Sequence, residues 1–173
     1  MNVSSPAPTP SGAPCIVPLR GPDDAAACAR IMSTSEPWIT LGRGFDRALA
    51  IVQLPDQEAY VALDADDTVA GFILLMMQGA FVGYVRSIAV RADWRSRGLG
   101  RSLLAFAEAR IHRDSPNVFL CVSSFNPRAK ALYERFGFET VGELRDFIVR
   151  GHSEWLMRKS LGPIDEFRPG GTG

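Results

Sequence analysis

The chain has 173 residues, 46% hydrophobic and 22% charged, which are the proportions of one globular domain with a full core. Its 19 basic residues equal its 19 acidic ones, so no long-range field favours nucleic acid or an anionic membrane surface as a partner. Three cysteines and two histidines without ligand spacing argue against a disulfide framework and a metal site, and no apolar run could span a bilayer. We therefore expect a cytoplasmic protein.

Both ends of the chain differ in composition from its middle. Residues 1–14 are rich in proline, serine and alanine without apolar periodicity, which predicts a flexible N-terminal arm. Residues 165–173, which end in Pro-Gly-Gly-Thr-Gly, predict a flexible C-terminal tail. One domain is predicted over residues 15–164.

The first part of this domain predicts a strand at about 16–20 and two helices. Pro22 begins the first helix, with acidic residues in the first turn, and the apolar pattern carries it through Met32. The second helix covers about 46–54. The segment 33–44 between them is an irregular loop that carries aromatic, acidic and basic residues.

Three runs rich in β-branched and aromatic residues follow, at about 58–63, 69–78 and 83–90. Turn residues separate them, so they predict an antiparallel meander. Apolar residues at helical spacing predict a helix at 99–111, and the short apolar run 118–122 predicts a buried strand that completes a βαβ unit.

The end of the domain predicts a helix and a hairpin. Asn126 and Pro127 are the N-cap and first residue of a helix that Gly137 ends. The strand-like runs 139–149 and 152–160 predict a terminal hairpin. The predicted fold class is α/β with one mixed, mostly antiparallel sheet.

The turn 95–100, Arg-Ser-Arg-Gly-Leu-Gly, joins the last strand of the meander to the long helix. Free amides at a helix N-terminus and glycines without side chains favour a phosphate, and Arg95, Arg97 and Arg101 add positive charge. We therefore predict a ligand that carries pyrophosphate. Alternatively, the glycines only make a tight connection and the arginines are solvated.

Three features occur in a fixed order: the Arg-x-x-Gly-x-Gly turn, Asn126 after the next strand, and Tyr133 seven residues later. The segments 87–104 (SIAVRADWRSRGLGRSLL) and 126–138 (NPRAKALYERFGF) closely resemble the GNAT family of N-acetyltransferases. The resemblance implies a single GNAT-type domain of six to seven strands and about four helices, with splayed central strands. It also implies acetyl transfer from acetyl-CoA to a primary amine, of a small molecule or a peptide or protein N-terminus, by direct attack in a ternary complex.

The resemblance implies that acetyl-CoA lies in a V-shaped opening between the strands that end near Val90 and Val122. Strand backbone would bind the pantetheine, a backbone N–H near Ile88 or Ala89 would hold the oxyanion, and the turn would hold the pyrophosphate. The implied cofactor-binding residues are Ile88, Ala89, Val90, Arg95, Arg97, Gly98, Leu99, Gly100, Arg101, Ser102, Asn126 and Tyr133. Capping alone also explains Asn126.

Tyr133, by resemblance, protonates the departing sulfur of CoA, although its helical spacing also suits a core aromatic residue. The general base that takes a proton from the amine is harder to identify, because Tyr84 and Cys121 stand where many relatives have glutamate. The candidates are Glu36, Glu154, or a water held by backbone carbonyls and Tyr84. Either acid could instead be an ordinary surface residue.

Acceptor recognition is expected from loops at one end of the sheet. The candidate substrate-binding residues are Trp38, Tyr84, Arg86, Ser123 and Phe125, with Arg43, Asp146 and His152 nearby. Trp38 could instead tie its loop to the core. Strict alternation would place Arg86 on the same face of its strand as Tyr84 and Ile88, where it could bind a carboxylate or be a surface arginine that needs no ligand. A homodimer through edge strands is possible, and a CoA-binding sensor with little turnover is the alternative function.

Overall fold

The computed structural model describes residues 14–169, so residues 1–13 of the predicted arm and 170–173 of the predicted tail lie outside the described residues. A short 3-10 helix at Ile164–Glu166 extends regular structure into the first residues of that tail. Within residues 14–169, no helix is long and apolar enough to cross a membrane.

The described chain forms one seven-stranded sheet in the order β1-β2-β3-β4-β5-β7-β6. The strands and α-helices are β1 (Cys15–Pro18), α1 (Pro22–Ser33), α2 (Phe45–Val52), β2 (Glu58–Leu63), β3 (Val69–Met76), β4 (Tyr84–Val90), α3 (Leu99–Ile111), β5 (Asn117–Ser123), α4 (Pro127–Arg135), β6 (Glu139–Arg145) and β7 (Ser153–Ser160).

The predicted topology is confirmed. Strands β1 to β4 form an antiparallel meander, and β4, α3 and β5 form the βαβ unit with β4 and β5 parallel. The terminal hairpin places β7 between β5 and β6. Strand β6 ends four residues earlier than expected, because Asp146 adopts a positive φ and its carboxylate accepts a hydrogen bond from the Gly151 N–H.

Helices cover the two faces of the sheet differently. Helices α1 and α2 pack on strands β2 to β4, with Met32 and Phe72 fully buried between the layers. Helices α3 and α4 pack on the opposite face, where Leu103, Leu120 and Met157 are buried. We call these the α1/α2 face and the α3/α4 face. Burial of these apolar side chains is the main stabilising contribution to the fold.

Strand β4 contains a β-bulge at Arg86. Leu74 pairs with Ser87 and Leu75 with Val85, so Arg86 has no partner on β3. Strict alternation would place Ile88 on the same face as Tyr84 and Arg86, as the sequence suggested. The extra residue changes the alternation, and Val85 and Ile88 both contact the α3/α4 core. Tyr84 therefore lies on the opposite face from Ile88.

The end of β4 is held to the β2–β3 turn by Arg91. Its guanidinium donates to the Asp64 carboxylate at 2.8 Å and to the Asp93 carboxylate at 2.7 Å. Burial opposes ionisation of Asp64, but hydrogen bonds from Thr68 and Arg91 hold the pKa of this carboxyl at about 2. The start of the turn between β4 and α3 is thus anchored to the sheet.

Candidate active site

Strands β4 and β5 separate immediately after the bulge. They pair only at Tyr84 with Phe119 and at Val85 with Leu120, and then diverge. A cavity of about 620 Å³ lies at this opening. It is lined by the end of β4, the turn into α3, helix α4 and the loop between α1 and α2.

The turn into α3 leaves a row of backbone donors free. Within residues 14–169, no N–H group of residues 96–101 donates to a protein acceptor, whereas the Ser102 N–H donates to the Gly98 carbonyl at 3.0 Å. Gly98 has a φ of 83°, which favours glycine and turns the chain into the helix. A Cβ on Gly100 would stand in the cavity, 3.9 Å from Leu132 and Val90. These residues fit the pyrophosphate of acetyl-CoA.

The three arginines of the turn already contact protein groups. Arg95 donates from Nη2 to Ser35 Oγ at 2.7 Å and from Nε to the Val90 carbonyl at 3.2 Å. Arg97 stacks over Trp94, and Arg101 over Phe136. Arg95 and Arg101 line the cavity, whereas Arg97 and Ser102 lie outside its lining.

Sequence reasoning missed Arg128, which also lines the cavity and donates to Ser96 Oγ at 3.2 Å. Its place in the first turn of α4 could have indicated this, because α4 begins where β5 ends, beside the same opening. It joins Arg95 and Arg101 in the lining of the cavity, and Arg135 of the same helix lines the cavity as well.

The last residues of β4 present backbone groups to the opening. The Arg91 N–H donates to the Ala70 carbonyl of β3 at 2.8 Å, and alternate residues of a strand face the same neighbour. Ala89 therefore faces β3, where it pairs with Phe72, while Ile88 and Val90 face the opening. Of the two N–H groups suggested for the oxyanion, only that of Ile88 is turned toward the cavity.

Tyr133 and Asn126 both line the cavity. Tyr133 is 8% exposed, and burial raises the pKa of its hydroxyl to about 12. No hydrogen bond to that hydroxyl is formed among the described residues. Asn126 caps α4, since its Oδ1 accepts a hydrogen bond from the Ala129 N–H at 3.1 Å.

Glu154 lies on the α1/α2 face of β7, opposite Ser123 at the end of β5, and outside the lining of the cavity. It is 3% exposed, and its Oε1 accepts a hydrogen bond from Ser123 Oγ at 2.6 Å. Burial raises the pKa of Glu154, against the opposing effects of Ser123, Arg43 and His152. From the sequence, Glu154 and Glu36 were equal candidates, because alternation does not reveal which face of β7 is covered.

Tyr84 and Cys121 accompany Glu154 on this face. Burial and the neighbouring Cys121 and Glu154 raise the pKa of Tyr84, so its hydroxyl stays protonated. Cys121 is half-buried, and burial raises the pKa of its thiol too. The two residues that replace the expected glutamates are therefore neutral groups beside one buried acid.

Of the predicted substrate-binding residues, Trp38 lines the cavity, whereas Tyr84, Arg86, Ser123 and Phe125 lie outside its lining. Trp38 is buried in the α1/α2 core. Glu36 also lines the cavity; it is exposed and accepts a hydrogen bond from the Thr40 N–H. Phe125 packs edge-on against His152, with ring centroids 4.9 Å apart. Arg86 is half-buried and donates to the Met76 sulfur at 3.1 Å.

Comparison with known proteins agrees with this architecture. A sequence model of the acetyltransferase (GNAT) family matches residues 26–138. An uncharacterised protein of Mycobacterium leprae is 31% identical over 87% of this chain, which spans 42% of that relative's length. The N-alpha-acetyltransferase RimI of Mycobacterium tuberculosis is 30% identical over 80% of this chain and 88% of its own.

The fold is also that of solved acetyltransferases. The phosphinothricin acetyltransferase of Sinorhizobium meliloti, solved with acetyl-CoA, superposes with a TM-score of 0.70 at 20% identity, over 91% of this chain and 94% of its own. This chain belongs to the GNAT acetyltransferase family, and its activity is acetyl-CoA-dependent acetylation of an amine.

Proposed function

We propose that the chain acetylates a primary α-amine, with Glu154 as the base and Tyr133 as the acid. The observation that carries this proposal is the cavity at the end of β4, where the buried Tyr133 lies together with the turn 96–101, whose N–H groups donate to no protein acceptor within residues 14–169. The buried carboxylate of Glu154 lies outside this lining, where β7 pairs with the end of β5. The relative from Mycobacterium tuberculosis is named an N-alpha-acetyltransferase, which agrees with an α-amine as the acceptor.

Acetyl-CoA supplies the thioester whose carbonyl the amine attacks. Glu154 takes a proton from the amine, since only the uncharged amine is nucleophilic. The Ile88 N–H donates to the oxygen that becomes negative, and residues 96–101 hold the pyrophosphate. Tyr133 donates its proton to the leaving sulfur, and the second proton that the amine nitrogen loses restores the Tyr133 hydroxyl through solvent. The raised pKa of Tyr133 keeps its proton in place until the thiolate forms.

Glu154 suits the role of base better than Glu36. Burial raises the pKa of Glu154 toward the working pH, whereas the exposed carboxylate of Glu36 accepts a hydrogen bond from the Thr40 N–H of its own loop. Three unpaired thiols, Cys15, Cys28 and Cys121, agree with a reducing compartment, and we propose the cytoplasm.

The test is release of free CoA thiol from acetyl-CoA in the presence of a panel of amines. We expect thiol release well above background with at least one α-amine. In Tyr133→Phe we expect turnover to fall about 100-fold, while acetyl-CoA binding stays within about threefold, because the hydroxyl acts as the thiolate forms. Equal losses in binding and turnover would contradict the role of Tyr133. Tight acetyl-CoA binding without thiol release for any amine would favour a sensor.

A further inference from the structure

Two half-buried arginines, Arg43 in the loop between α1 and α2 and Arg86 at the bulge of β4, have no carboxylate partner, and both lie outside the lining of the cavity. The described residues 14–169 contain ten ion pairs, and neither Arg43 nor Arg86 takes part in one. The other two half-buried arginines of residues 14–169 do: Arg91 and Arg110 each contact two carboxylates. Unpaired charge that is partly removed from water is costly unless a ligand compensates it.

Arg86 stands at the bulge of β4, on the same face as Tyr84. Its Nη2 donates only to the Met76 sulfur, a weak acceptor, and its Nε is buried without any partner. A buried N–H that donates to nothing loses its hydration without compensation. The bulge places this guanidinium next to the point where β4 and β5 separate.

Arg43 reaches the site from the loop between α1 and α2. Its backbone N–H donates to the Trp38 carbonyl at 2.9 Å, which fixes the loop beside the opening. Burial and the positive charge of Arg47 lower the pKa of Arg43, and Glu154 acts in the opposite direction. The charge of Glu154 therefore acts on the Arg43 guanidinium, but the two side chains form no ion pair.

Other acids near the opening are engaged elsewhere. The exposed Glu36 caps its own loop by accepting from the Thr40 N–H, and the exposed Asp146 accepts from the Gly151 N–H. Of these three acids only Glu154 is buried, and it becomes neutral when it takes the proton of the amine. While the amine attacks, no negative charge from these acids then balances the positive charges of Arg43 and Arg86.

We propose that the acceptor carries a carboxylate close to its reactive amine, and that Arg43 and Arg86 bind this carboxylate. The inference rests on the proposed function, because it concerns the same acceptor site. The carboxylate is either the α-carboxylate of a free amino acid or the acidic side chain of a peptide that begins with aspartate or glutamate. Polycationic amines are disfavoured, since two positive charges face them.

The experiment compares matched acceptors that differ only in the carboxylate. Alanine is paired with alaninamide, peptides beginning with aspartate are paired with those beginning with asparagine, and spermidine serves as the polycation. The value of kcat/KM from thiol release is measured for the native chain, Arg43→Gln, Arg86→Gln and Arg47→Gln. Arg47 is the matched control because it is an exposed arginine near Arg43 that belongs to no part of the site.

We expect one carboxylate acceptor to exceed its amide partner at least tenfold in kcat/KM, mainly through KM. Arg43→Gln and Arg86→Gln should each lower this ratio about tenfold, while Arg47→Gln preserves it. A higher kcat/KM for alanine than for alaninamide would indicate a free amino acid as the acceptor. A higher kcat/KM for the peptide that begins with aspartate than for the one that begins with asparagine would indicate an acidic peptide. Equal kcat/KM within both pairs, or a ratio that neither substitution changes, would overturn the inference.

Binding measured by calorimetry separates this inference from the proposed function. With CoA present, the N-acetylated carboxylate product should bind at least tenfold more tightly than the N-acetylated amide, and Arg43→Gln should remove the difference. This result would support the carboxylate site even if no amine released thiol, in which case the proposed function alone would fail. Equal binding of the two products would contradict the carboxylate site whatever the turnover.

Discussion

Glu154 illustrates how a residue acquires its chemistry from its surroundings. Its position on β7 pairs with Ser123 on β5, whose hydroxyl donates to it, and burial leaves it 3% exposed. The sequence could name this glutamate as a candidate but could not predict its burial. That burial depends on which face of β7 the rest of the chain covers, and local alternation carries no such information.

The raised pKa of Glu154 predicts the pH dependence of activity. A base must be deprotonated, so kcat/KM should fall as the pH drops through the pKa of Glu154, above its usual value of 4.5. Glu154→Gln should lower kcat at least about 100-fold and remove this acid limb. Glu36→Gln, the matched control, should retain it. An unchanged pH profile in Glu154→Gln would exclude Glu154 as the base.

The raised pKa of Glu154 also predicts how the stability of the folded chain changes with pH. Its pKa in the folded chain is raised, so the folded state binds the proton more tightly than the unfolded state does. The native chain should therefore lose stability relative to Glu154→Gln as the pH rises from about 4.5 through the folded pKa. Thermal unfolding of both proteins across this range measures the difference.

At the scale of elements, helices were easier to predict than strand geometry. Pro22 and Asn126 start α1 and α4 through local capping chemistry, and α3 begins at Leu99 as expected. The bulge at Arg86 was not predictable, because it is defined by the register between β3 and β4 rather than by any residue within β4. Because of this bulge, Ile88 lies on the α3/α4 face rather than on the face of Tyr84.

The junction of β4 and α3 predicts the effect of filling the phosphate site. In Gly100→Val, the added side chain enters the cavity beside Leu132 and Val90 without backbone strain, since Gly100 has no positive φ. We expect the Kd for acetyl-CoA to rise tenfold or more, with an intermediate rise in Gly100→Ala. Calorimetric titration gives the Kd values, and circular dichroism confirms that the variants fold. Native affinity in Gly100→Val would place the pyrophosphate elsewhere.

At the scale of the whole molecule, the sheet consists of two halves joined by few bonds. Strands β1 to β4 form one half and β5 to β7 the other, and β4 pairs with β5 at only two positions. The sequence predicted this architecture through the resemblance of its motifs. Only the structure shows that Tyr84, Cys121 and Glu154 lie together on the α1/α2 face. A homodimer through the edge strands β1 or β6 stays a prediction.

A ligand that contacts both halves should stabilise the whole domain. Acetyl-CoA at about 100 times its Kd adds about 2.7 kcal/mol to the free energy of unfolding, which for a chain of this size raises Tm by about 5–10 °C. Thermal unfolding monitored by circular dichroism measures the shift. Gly100→Val at the same concentration should show a much smaller one. A native Tm that ignores acetyl-CoA would contradict binding in the opening.

The bulge at Arg86 has a consequence for how one strand serves two substrates. Without the extra residue, every side chain after it would change sides, so Ile88 and Val90 would face α1 and α2 and Ala89 would face α3. The one extra residue of the bulge therefore determines which side chains at the end of β4 face α1 and α2 and which face α3 and α4. Deleting Arg86 would do more than remove a positive charge, because the side chains of Ile88, Ala89 and Val90 would each move to the opposite face of the sheet.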